Sequence, residues 1–411
     1  MGIACFFVWI PVMAAQALEY RLGGEIYNRF YQDDHFWDSG NREFNRREVY
    51  NIVTAAPSLS LAAGKMLTGY LQADMEWTHF FDPEPEDVLE LRLTNAYANL
   101  SMGNFLVSAG KMFLQLGKGL LIANEEPTVI LQYEAARKYY LNITAAQVLT
   151  SSPMAALTLG YRPGFLEKIE CFGVFFQDRD DGFAEMLNNT LWFDGLRSEG
   201  GICWLGLNLD FFVSDLVVSG VAMLEKGKLD VTSGVRKASF DISAYLLDMS
   251  LDYNVTDRIS AGVFFFLASG DNRLREEEVT AFVSPLPFNP RGAIFFDPGF
   301  VALDLDQEEI LWPGGVTMAG AVVPGARLSL QLLEPLSVDW MVATYYPEQK
   351  PARDRDWYGW ETDLLLTYRW SDSKRLFFEA DWFSHGNYFR RLEDEIPETA
   401  TRILAGFHLV F

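Results

Sequence analysis

Apolar and polar residues alternate with a period of two along most of the chain, and the alternation is clearest at its C-terminal end. Between Thr401 and Phe411, one face carries Ile403, Ala405, Phe407, Leu409 and Phe411, and the other carries Arg402 and His408. A β-strand gives this period because successive side chains point to opposite sides. Upstream, residues 357–370 and 374–383 flank a polar turn at 371–373 and predict a hairpin.

The same alternation predicts about 16 strands along the chain. They are expected at 19–30, 45–55, 61–80, 88–100, 104–114, 154–162, 168–178, 200–213, 216–227, 237–253, 257–269, 316–333, 336–346, 357–370, 374–384 and 400–411.

Short and long connections alternate between these strands. The short ones hold turn-forming residues at 101–103, 162–164, 214–215, 254–256, 334–335 and 371–373. The long ones lie at 31–44, 81–87, 115–153, 179–199, 228–236, 270–315, 347–356 and 385–399. Short periplasmic turns and long extracellular loops are typical of an outer-membrane β-barrel with an even number of antiparallel up-and-down strands. A soluble β-sandwich has no need of this regularity.

The residues on the two faces of each strand help to distinguish a soluble β-sheet from a transmembrane barrel. In the strand at 357–370, Tyr358, Trp360 and Leu364 oppose Glu361 and Asp363. A soluble sheet would turn the charged face to bulk water, whereas a membrane barrel turns the apolar face to lipid and the charged face to a wet lumen. We predict the barrel, because aromatic residues recur at the ends of the apolar faces.

One predicted strand changes phase part-way along. Phe240, Ile242, Ala244 and Leu246 hold one phase, and Leu247, Met249, Leu251 and Tyr253 hold the other. This indicates either a β-bulge near Leu246 or a segment that lies partly outside the membrane.

Composition excludes several classes of protein. The chain has 411 residues, 49% hydrophobic residues and a net charge of -23. Beyond residue 20 it lacks the run of about 18 apolar residues that a membrane helix needs, and its acidity opposes nucleic acid as a partner. Residues 1–17 have an apolar centre and end in Ala15, Gln16 and Ala17, which predicts a signal peptide before a single barrel domain, 18–411. A short buried strand is the alternative for residues 1–17.

The sequence offers no pattern for catalysis or a cofactor. Cys171 and Cys203 both fall on apolar faces and are not expected to pair. The four histidines, His35, His79, His385 and His408, are in neither an HExxH nor a GxSxG motif. We therefore predict that the protein is not an enzyme and holds no metal or cofactor. An enzymatic role would require His35 or His408 to meet a nucleophile.

The polar faces give the residues expected to line the lumen. They are Asp74, Glu76, Glu90, Arg92, Lys111, Asp210, Asp241, Arg327, Asp339, Glu361, Asp363, Arg369, Glu379, Asp381, Arg402 and His408. The connection at 115–153 has enough apolar residues to fold into the lumen as a constriction, or it forms a lid on the extracellular rim. Its candidate constriction residues are Lys118, Asn124, Glu125, Glu126, Tyr133 and Arg137.

Two stretches resemble the alginate export family of outer-membrane barrels. They are AYANLSMGNFLVSAGKMFLQLGKGLLIAN (96–124), followed later by LTLGYRPG (157–164), and WETDLLLTYRWSDSKRLFFEADWFSHGNYF (360–389). The resemblance implies one closed barrel, commonly of 18 strands, that moves polyuronate or other solutes across the outer membrane. A polyanion conduit needs cations along its path, whereas the acids on the predicted inward face outnumber the bases.

The function that we predict is a channel in the bacterial outer membrane for small polar solutes or saccharides, with a mildly acidic lumen that favours cations. The alternative is a barrel that sheathes a partner protein in its lumen, such as a cytochrome in an electron conduit. The expected partners are outer-membrane lipid and lipopolysaccharide, the barrel assembly machinery, and a polar solute or polysaccharide.

Overall fold

The computed structural model describes most of the chain from Leu18 onwards. The described residues are 18–34, 37–38, 43–44, 47–81, 87–136, 138–149, 152–163, 166–179, 196–233, 236–271, 278–285, 291–296, 311–312, 316–317, 319–350, 356–389 and 399–411. The predicted signal peptide, 1–17, lies outside them.

The described residues form 18 long strands. They are β1 (Leu18–Asp34), β2 (Glu48–Ala63), β3 (Leu67–Phe80), β4 (Val88–Met102), β5 (Phe105–Leu116), β6 (Ile122–Ala135), β7 (Tyr139–Val148), β8 (Ser152–Tyr161), β9 (Leu166–Asp178), β10 (Leu196–Val213), β11 (Leu216–Ser233), β12 (Arg236–Thr256), β13 (Ile259–Ala268), β14 (Ala321–Leu333), β15 (Leu336–Tyr345), β16 (Gly359–Ser371), β17 (Lys374–His385) and β18 (Thr399–Val410).

Each strand pairs antiparallel with the next, and the sheet closes on itself between β18 and β1. The closing ladder runs from Glu25 opposite Val410 to Asp34 opposite Thr401. Beyond it, Gly24 and Phe411 exchange two backbone hydrogen bonds of 3.0 Å. The predicted all-β, up-and-down barrel is therefore confirmed, and closure leaves these strands without a free edge along the ladder.

The barrel has 18 strands rather than 16 because residues 115–153 are not one loop. They contain β6 and β7, and only 117–121 remain as the connection between β5 and β6. Two further boundaries were predicted wrongly. Residues 228–236 belong mostly to β11 and β12, and the turn after β2 lies at 64–66 rather than at 56–60.

Short turns gather at one end of the barrel, which we call the turn end. They lie at 64–66, 103–104, 214–215, 257–258, 334–335 and 372–373, and the connections from β6 to β7 and from β8 to β9 are at the same end. At several of them the chain reverses through a left-handed residue, such as Gly103 (φ 62°) and Ser214 (φ 55°). The opposite end, which we call the loop end, carries the long connection between β13 and β14 at 269–320.

The outer wall of the barrel is apolar. Leu91, Leu205 and Trp370 are 77%, 66% and 76% exposed, and each points away from the interior. Such a continuous apolar exterior suits a hydrocarbon environment better than water. No helix among the described residues is long and apolar enough to cross a membrane.

The predicted bulge near Leu246 is wrong. The pairing of β12 with β11 continues without a shift from Leu216 opposite Tyr253 to Ser233 opposite Arg236. Ile242 and Leu246 are apolar and point inward because a loop packs against them inside the barrel.

A register shift occurs instead between β3 and β4. Gln72 pairs with Asn95 but Ala73 pairs with Leu93, so Thr94 is an extra residue in β4. Past this bulge the alternation is inverted. Tyr97, which sequence alone groups with the outward Leu89 and Leu91, is opposite Tyr70 on the inward face.

Candidate functional site: the barrel interior

Two connections fold inward from the loop end. The short inner loop is 117–121, between β5 and β6, and the long inner loop is 269–320, of which the structure describes 269–271, 278–285, 291–296, 311–312, 316–317 and 319–320. Both contact the inner wall, through single ionisable side chains and through apolar packing.

Lys118 fixes the short inner loop to the wall. Its Nζ donates to the backbone oxygen of Leu209 at 3.2 Å and to Ser219 Oγ at 2.6 Å, and it forms an ion pair with Asp210. Ser219 Oγ also donates to Asp210 at 2.8 Å. The tip of this loop is thereby held against β10 and β11 rather than above the rim.

Two glutamates hold the backbone of the long inner loop. Glu361 Oε1 accepts from Ile294 N–H at 2.6 Å and Glu361 Oε2 accepts from Phe295 N–H at 3.0 Å. Glu225 Oε2 accepts from Val283 N–H at 2.9 Å. The oxygens of these two side chains satisfy backbone amides that would otherwise be buried without partners.

A buried ion pair adds a third attachment. Arg291 Nε and Nη2 donate to the two oxygens of Asp248 at 2.7 and 2.8 Å, with both side chains buried. The hydroxyl of Tyr345 links this attachment to that of Glu361. It lies 2.8 Å from the backbone oxygen of Arg291 and 2.9 Å from Glu361 Oε2. The loop is therefore anchored on β12, β15 and β16 together.

The two inner loops also contact each other and enclose a dry cluster. Ser284 Oγ lies 2.7 and 2.9 Å from the backbone oxygens of Leu120 and Leu121. Trp204 Nε1 donates to Val283 O at 3.2 Å. Around these contacts pack Leu121, Ile122, Phe176, Phe266, Phe282, Phe295 and Phe383, all fully buried. The interior is therefore apolar along one side of the barrel at the loop end, and the expectation of a wet lumen throughout is wrong there.

The inward face of β1 to β4 is different. Arg92 donates to Glu76 at 3.2 Å and forms an ion pair with Glu90 at 3.1 Å, and Arg29 lies 3.6 Å from Glu76. The side chains of Arg92 and Glu90 are 57% and 49% exposed although they point inward. Water thus reaches the interior along these strands, which the described parts of the inner loops do not cover.

A row of charges crosses β16, β17, β18 and β1. Asp363 is opposite Asp381, Asp381 is opposite Arg402, and Arg402 is opposite Asp33. Arg402 donates to both oxygens of Asp33 at 2.8 and 3.0 Å. In the part of the chain that the structure describes, no group of three or more His, Cys, Asp and Glu side chains is placed to hold a metal ion.

Most of the residues predicted to line the lumen lie on the inward face, by register or by contact. They are Asp74, Glu76, Glu90, Arg92, Asp210, Arg327, Asp339, Glu361, Asp363, Arg369, Glu379, Asp381, Arg402 and His408. They do not form one site. Glu361 is covered by the long inner loop, whereas His408 hydrogen-bonds Glu25 at 2.8 Å and stacks on Tyr27.

Two predictions of this set are wrong. Asp241 is opposite Lys228, both are exposed on the outer surface, and the buried neighbour Ile242 points inward. Lys111 is opposite Pro127 on the outward face, while its neighbour Met112 is buried inside. The rule that the polar face points inward fails at both positions, because the inner loops make the inward face of these strands apolar.

Some of the residues predicted to form a constriction lie inside the barrel, and others lie on its outward face. Lys118 lies in the short inner loop, and Asn124 donates to the inward Glu126 at 2.9 Å. Glu125 is opposite the exposed Phe113, and Tyr133 is itself exposed on the outward face. Arg137 lies outside the described residues.

Sequence reasoning missed Glu225, Asp248 and Arg291, which hold the long inner loop. Glu225 lies between Met223 and Leu229 on an inward face that is otherwise apolar, whereas Asp248 follows Leu246 where the inward face of β12 becomes polar, at Ser250 and Asp252. For Glu225, a lone acid in an apolar row was the available signal, because such an acid must find a hydrogen-bond donor once it is buried.

The rim at the loop end is linked by a further carboxylate. Asp356 accepts from Asn387 Nδ2 at 2.8 Å and from Lys350 Nζ at 3.2 Å, which joins the connection after β15 to the one after β17. These hydrogen bonds lower the pKa of Asp356, and the hydrogen bond from Asn387 has the largest effect. The contact is therefore present at neutral pH and is lost only as acid protonates the carboxylate.

Solved structures share this architecture over nearly the whole chain. The outer membrane protein OprD from Pseudomonas aeruginosa matches with a TM-score of 0.55 and 12% identity, covering 95% of this chain and 94% of that one. The chain therefore has the barrel fold of OprD. OccK9 (OpdG) from the same organism matches with a TM-score of 0.60 and 11% identity, covering 96% and 99% of the two chains. OccAB4 from Acinetobacter baumannii matches with a TM-score of 0.56 and 11% identity, covering 97% and 99%.

The OprD-like barrel is recognised through structure alone. No protein-family model matches the sequence, and no curated protein matches it significantly.

Proposed function

We propose that the protein is a passive channel of the bacterial outer membrane that admits small polar solutes. The observation that carries the proposal is the asymmetry of the interior. The inner loops are anchored on β10 to β17, and Arg92 and Glu90 of β4 on the other side remain exposed to water. The proposed path runs along β1 to β4.

The same path is proposed to favour cations. Apart from Asp33, which pairs with Arg402, its inward acids are Glu19, Glu25, Glu48, Asp74, Glu76 and Glu90, and its inward bases are Arg21, Arg29 and Arg92. Fixed charges in a narrow, low-dielectric pore raise the local concentration of ions of opposite sign.

Two other interpretations fit the interior less well. A sheath for a partner protein needs free space that the short inner loop and the described part of the long inner loop occupy. An alginate exporter, which the sequence resemblance suggests, needs a basic path for a polyanion. Export to the outer membrane through the predicted signal peptide, assembly by the barrel machinery and contact with lipopolysaccharide are parts of this proposal.

Recording from the purified protein in planar bilayers tests the channel. Under a KCl gradient, we expect single-channel current steps and a reversal potential on the cation-selective side. The variant with Glu76→Gln and Glu90→Gln should shift the reversal potential towards anion selectivity. Asp241→Asn, which removes one acid from the outer surface, is the control and should leave it unchanged.

The outcomes separate the hypotheses. Strong anion selectivity in the unmodified protein would contradict the cation path and favour a polyanion conduit. Absence of any current steps would contradict the channel itself and favour the sheath.

A further inference from the structure

The β-bulge at Thr94 creates an aromatic recess on the inner wall close to the turn end. Because of the bulge, Tyr97 points inward and faces Tyr70, with ring centroids 5.6 Å apart and ring planes inclined by 39°. The two rings belong to adjacent strands and lie beside the proposed path. Near the turn end, these two tyrosines place aromatic rings side by side on the inward faces of β3 and β4.

Polar groups surround the two rings. The recess has a volume of about 360 Å³, and its other polar lining residues include Glu19, Arg21, Ser60 and Asn99. Asn99 Nδ2 donates to Thr68 Oγ1 at 3.3 Å, and Tyr70 O–H donates to Gln72 Oε1 at 2.8 Å. The lining thus combines aromatic rings, a carboxylate, a guanidinium, an amide and hydroxyls.

We propose that this recess is a binding subsite for a neutral sugar ring on its way through the channel, an inference that rests on the proposed function. The apolar C–H face of a pyranose can pack on an aromatic side chain, which offers a large apolar surface of fixed geometry. Its adjacent hydroxyls can donate to the Glu19 carboxylate and accept from the Arg21 guanidinium or the Asn99 amide. A volume of about 360 Å³ is in the range of small-ligand sites.

The balance of charge favours a neutral ligand over an organic cation. Glu19 and Arg21 are in the same recess, so their charges offset each other locally. Serine, threonine and asparagine make up most of the remaining polar lining, and these groups select for hydrogen bonding rather than for charge.

Sugar-dependent block of the ion current tests the subsite. Maltose added in the millimolar range should reduce the single-channel current of the unmodified protein in a saturable way. Tyr97→Ala should lower the apparent affinity for maltose at least tenfold while current steps persist. Tyr97→Phe keeps the ring and should stay within about threefold of the unmodified protein. Tyr368→Ala, which removes an exposed tyrosine from the outer wall, is the matched control and should not change the block.

Three results would overturn the subsite. They are normal current steps with no effect of maltose, block by maltose that Tyr97→Ala leaves unchanged, and block by benzyltrimethylammonium at concentrations where maltose has none. Each leaves the channel proposal intact, whereas absence of current steps in the unmodified protein defeats both proposals. A heat-dependent shift in gel mobility shows that each variant is a folded barrel before it is recorded.

Discussion

At the scale of single residues, the inner loops are positioned by ionisable side chains, of which sequence reasoning had assigned Glu361 and Asp210 to a water-filled wall and Lys118 to a constriction. Glu361 satisfies two backbone amides of the long inner loop, and Lys118 reaches the wall at Asp210. An acid or a lysine on an inward face can line a channel or hold a loop, and alternation along a strand cannot distinguish these roles. The distinction depends on which distant segment comes to lie beside the side chain.

Lys118→Ala should release the short inner loop. The substitution removes a charged hydrogen-bonding group and leaves Asp210 without its cation, at a cost of about 1.5–3 kcal/mol. In planar bilayers, we expect larger or noisier current steps than in the unmodified protein. Lys226→Ala, on the outer surface of β11, is the control and should behave like the unmodified protein. Identical current steps in Lys118→Ala would show that the loop is held by its apolar contacts.

Asp248→Asn should loosen the long inner loop. It removes the buried counter-charge that Asp248 supplies to Arg291, and breaking a buried pair costs about 3 kcal/mol or more. Because trypsin can cut after Arg291 only when this segment leaves the interior, cleavage there should accelerate about 100-fold, as followed by mass spectrometry of the peptide that ends at Arg291. Asp241→Asn, on the outward face of the same strand, should leave the rate unchanged. Equal rates in both variants would contradict the anchoring role of Asp248.

At the scale of strands and turns, sequence predicts the closed antiparallel barrel but misses β6 and β7. Their alternation is visible in Val129, Leu131 and Tyr133, yet the turns that bound β7 lack the usual residues. Ala136 (φ 51°) and Leu149 (φ 50°) adopt the left-handed conformation that glycine or asparagine normally supplies. The bulge at Thr94 is hidden for a similar reason, because one extra residue changes no local composition. The hydrophobic pattern was therefore sufficient to show these strands. What the sequence did not show was where the chain turns and where the register shifts.

Gly110→Ala should weaken the pairing of β5 with β4. Gly110 has φ +139°, and a Cβ there would lie 2.1 Å from the backbone oxygen of Ala96. An alanine held in this conformation costs about 1–3 kcal/mol before the steric overlap is relieved. We expect a lower temperature for the heat-dependent gel shift. Gly69→Ala is the control, since its nearest neighbours would be 3.7 Å away. A variant as heat-stable as the control would mean that β5 can shift to accept the methyl group.

At the scale of the whole molecule, the outer wall is apolar, while the inner wall is polar on one side and covered by loops on the other. Sequence predicts the apolar exterior, because every strand contributes to it through the same alternation. It does not predict the asymmetric interior, because that depends on where the loops return to the wall. The alternation within each strand determines the apolar exterior, whereas the positions of the inner loops determine the proposed path for solutes.

The orientation of the outer wall can be tested through Cys171, which is exposed on the outward face of β9. With Cys203→Ser as the background, a charged maleimide should leave Cys171 unlabelled in outer membranes, because the thiol lies in lipid. A lipid-soluble maleimide should label it. Glu90→Cys in a background without native cysteines is the control, and the charged reagent should reach it through the interior. Rapid labelling of Cys171 by the charged reagent would contradict a lipid-facing wall.

The closing ladder between β1 and β18 has a consequence for how the molecule is made. It joins Glu25 to Val410 and Gly24 to Phe411, positions near opposite ends of the chain. Pairing so remote in sequence carries a large entropy of loop closure and forms slowly. Until β18 has been synthesised and delivered, β1 presents an open edge of unpaired amides and carbonyls, so a chain truncated before Thr399 should remain a curved sheet that is prone to aggregate.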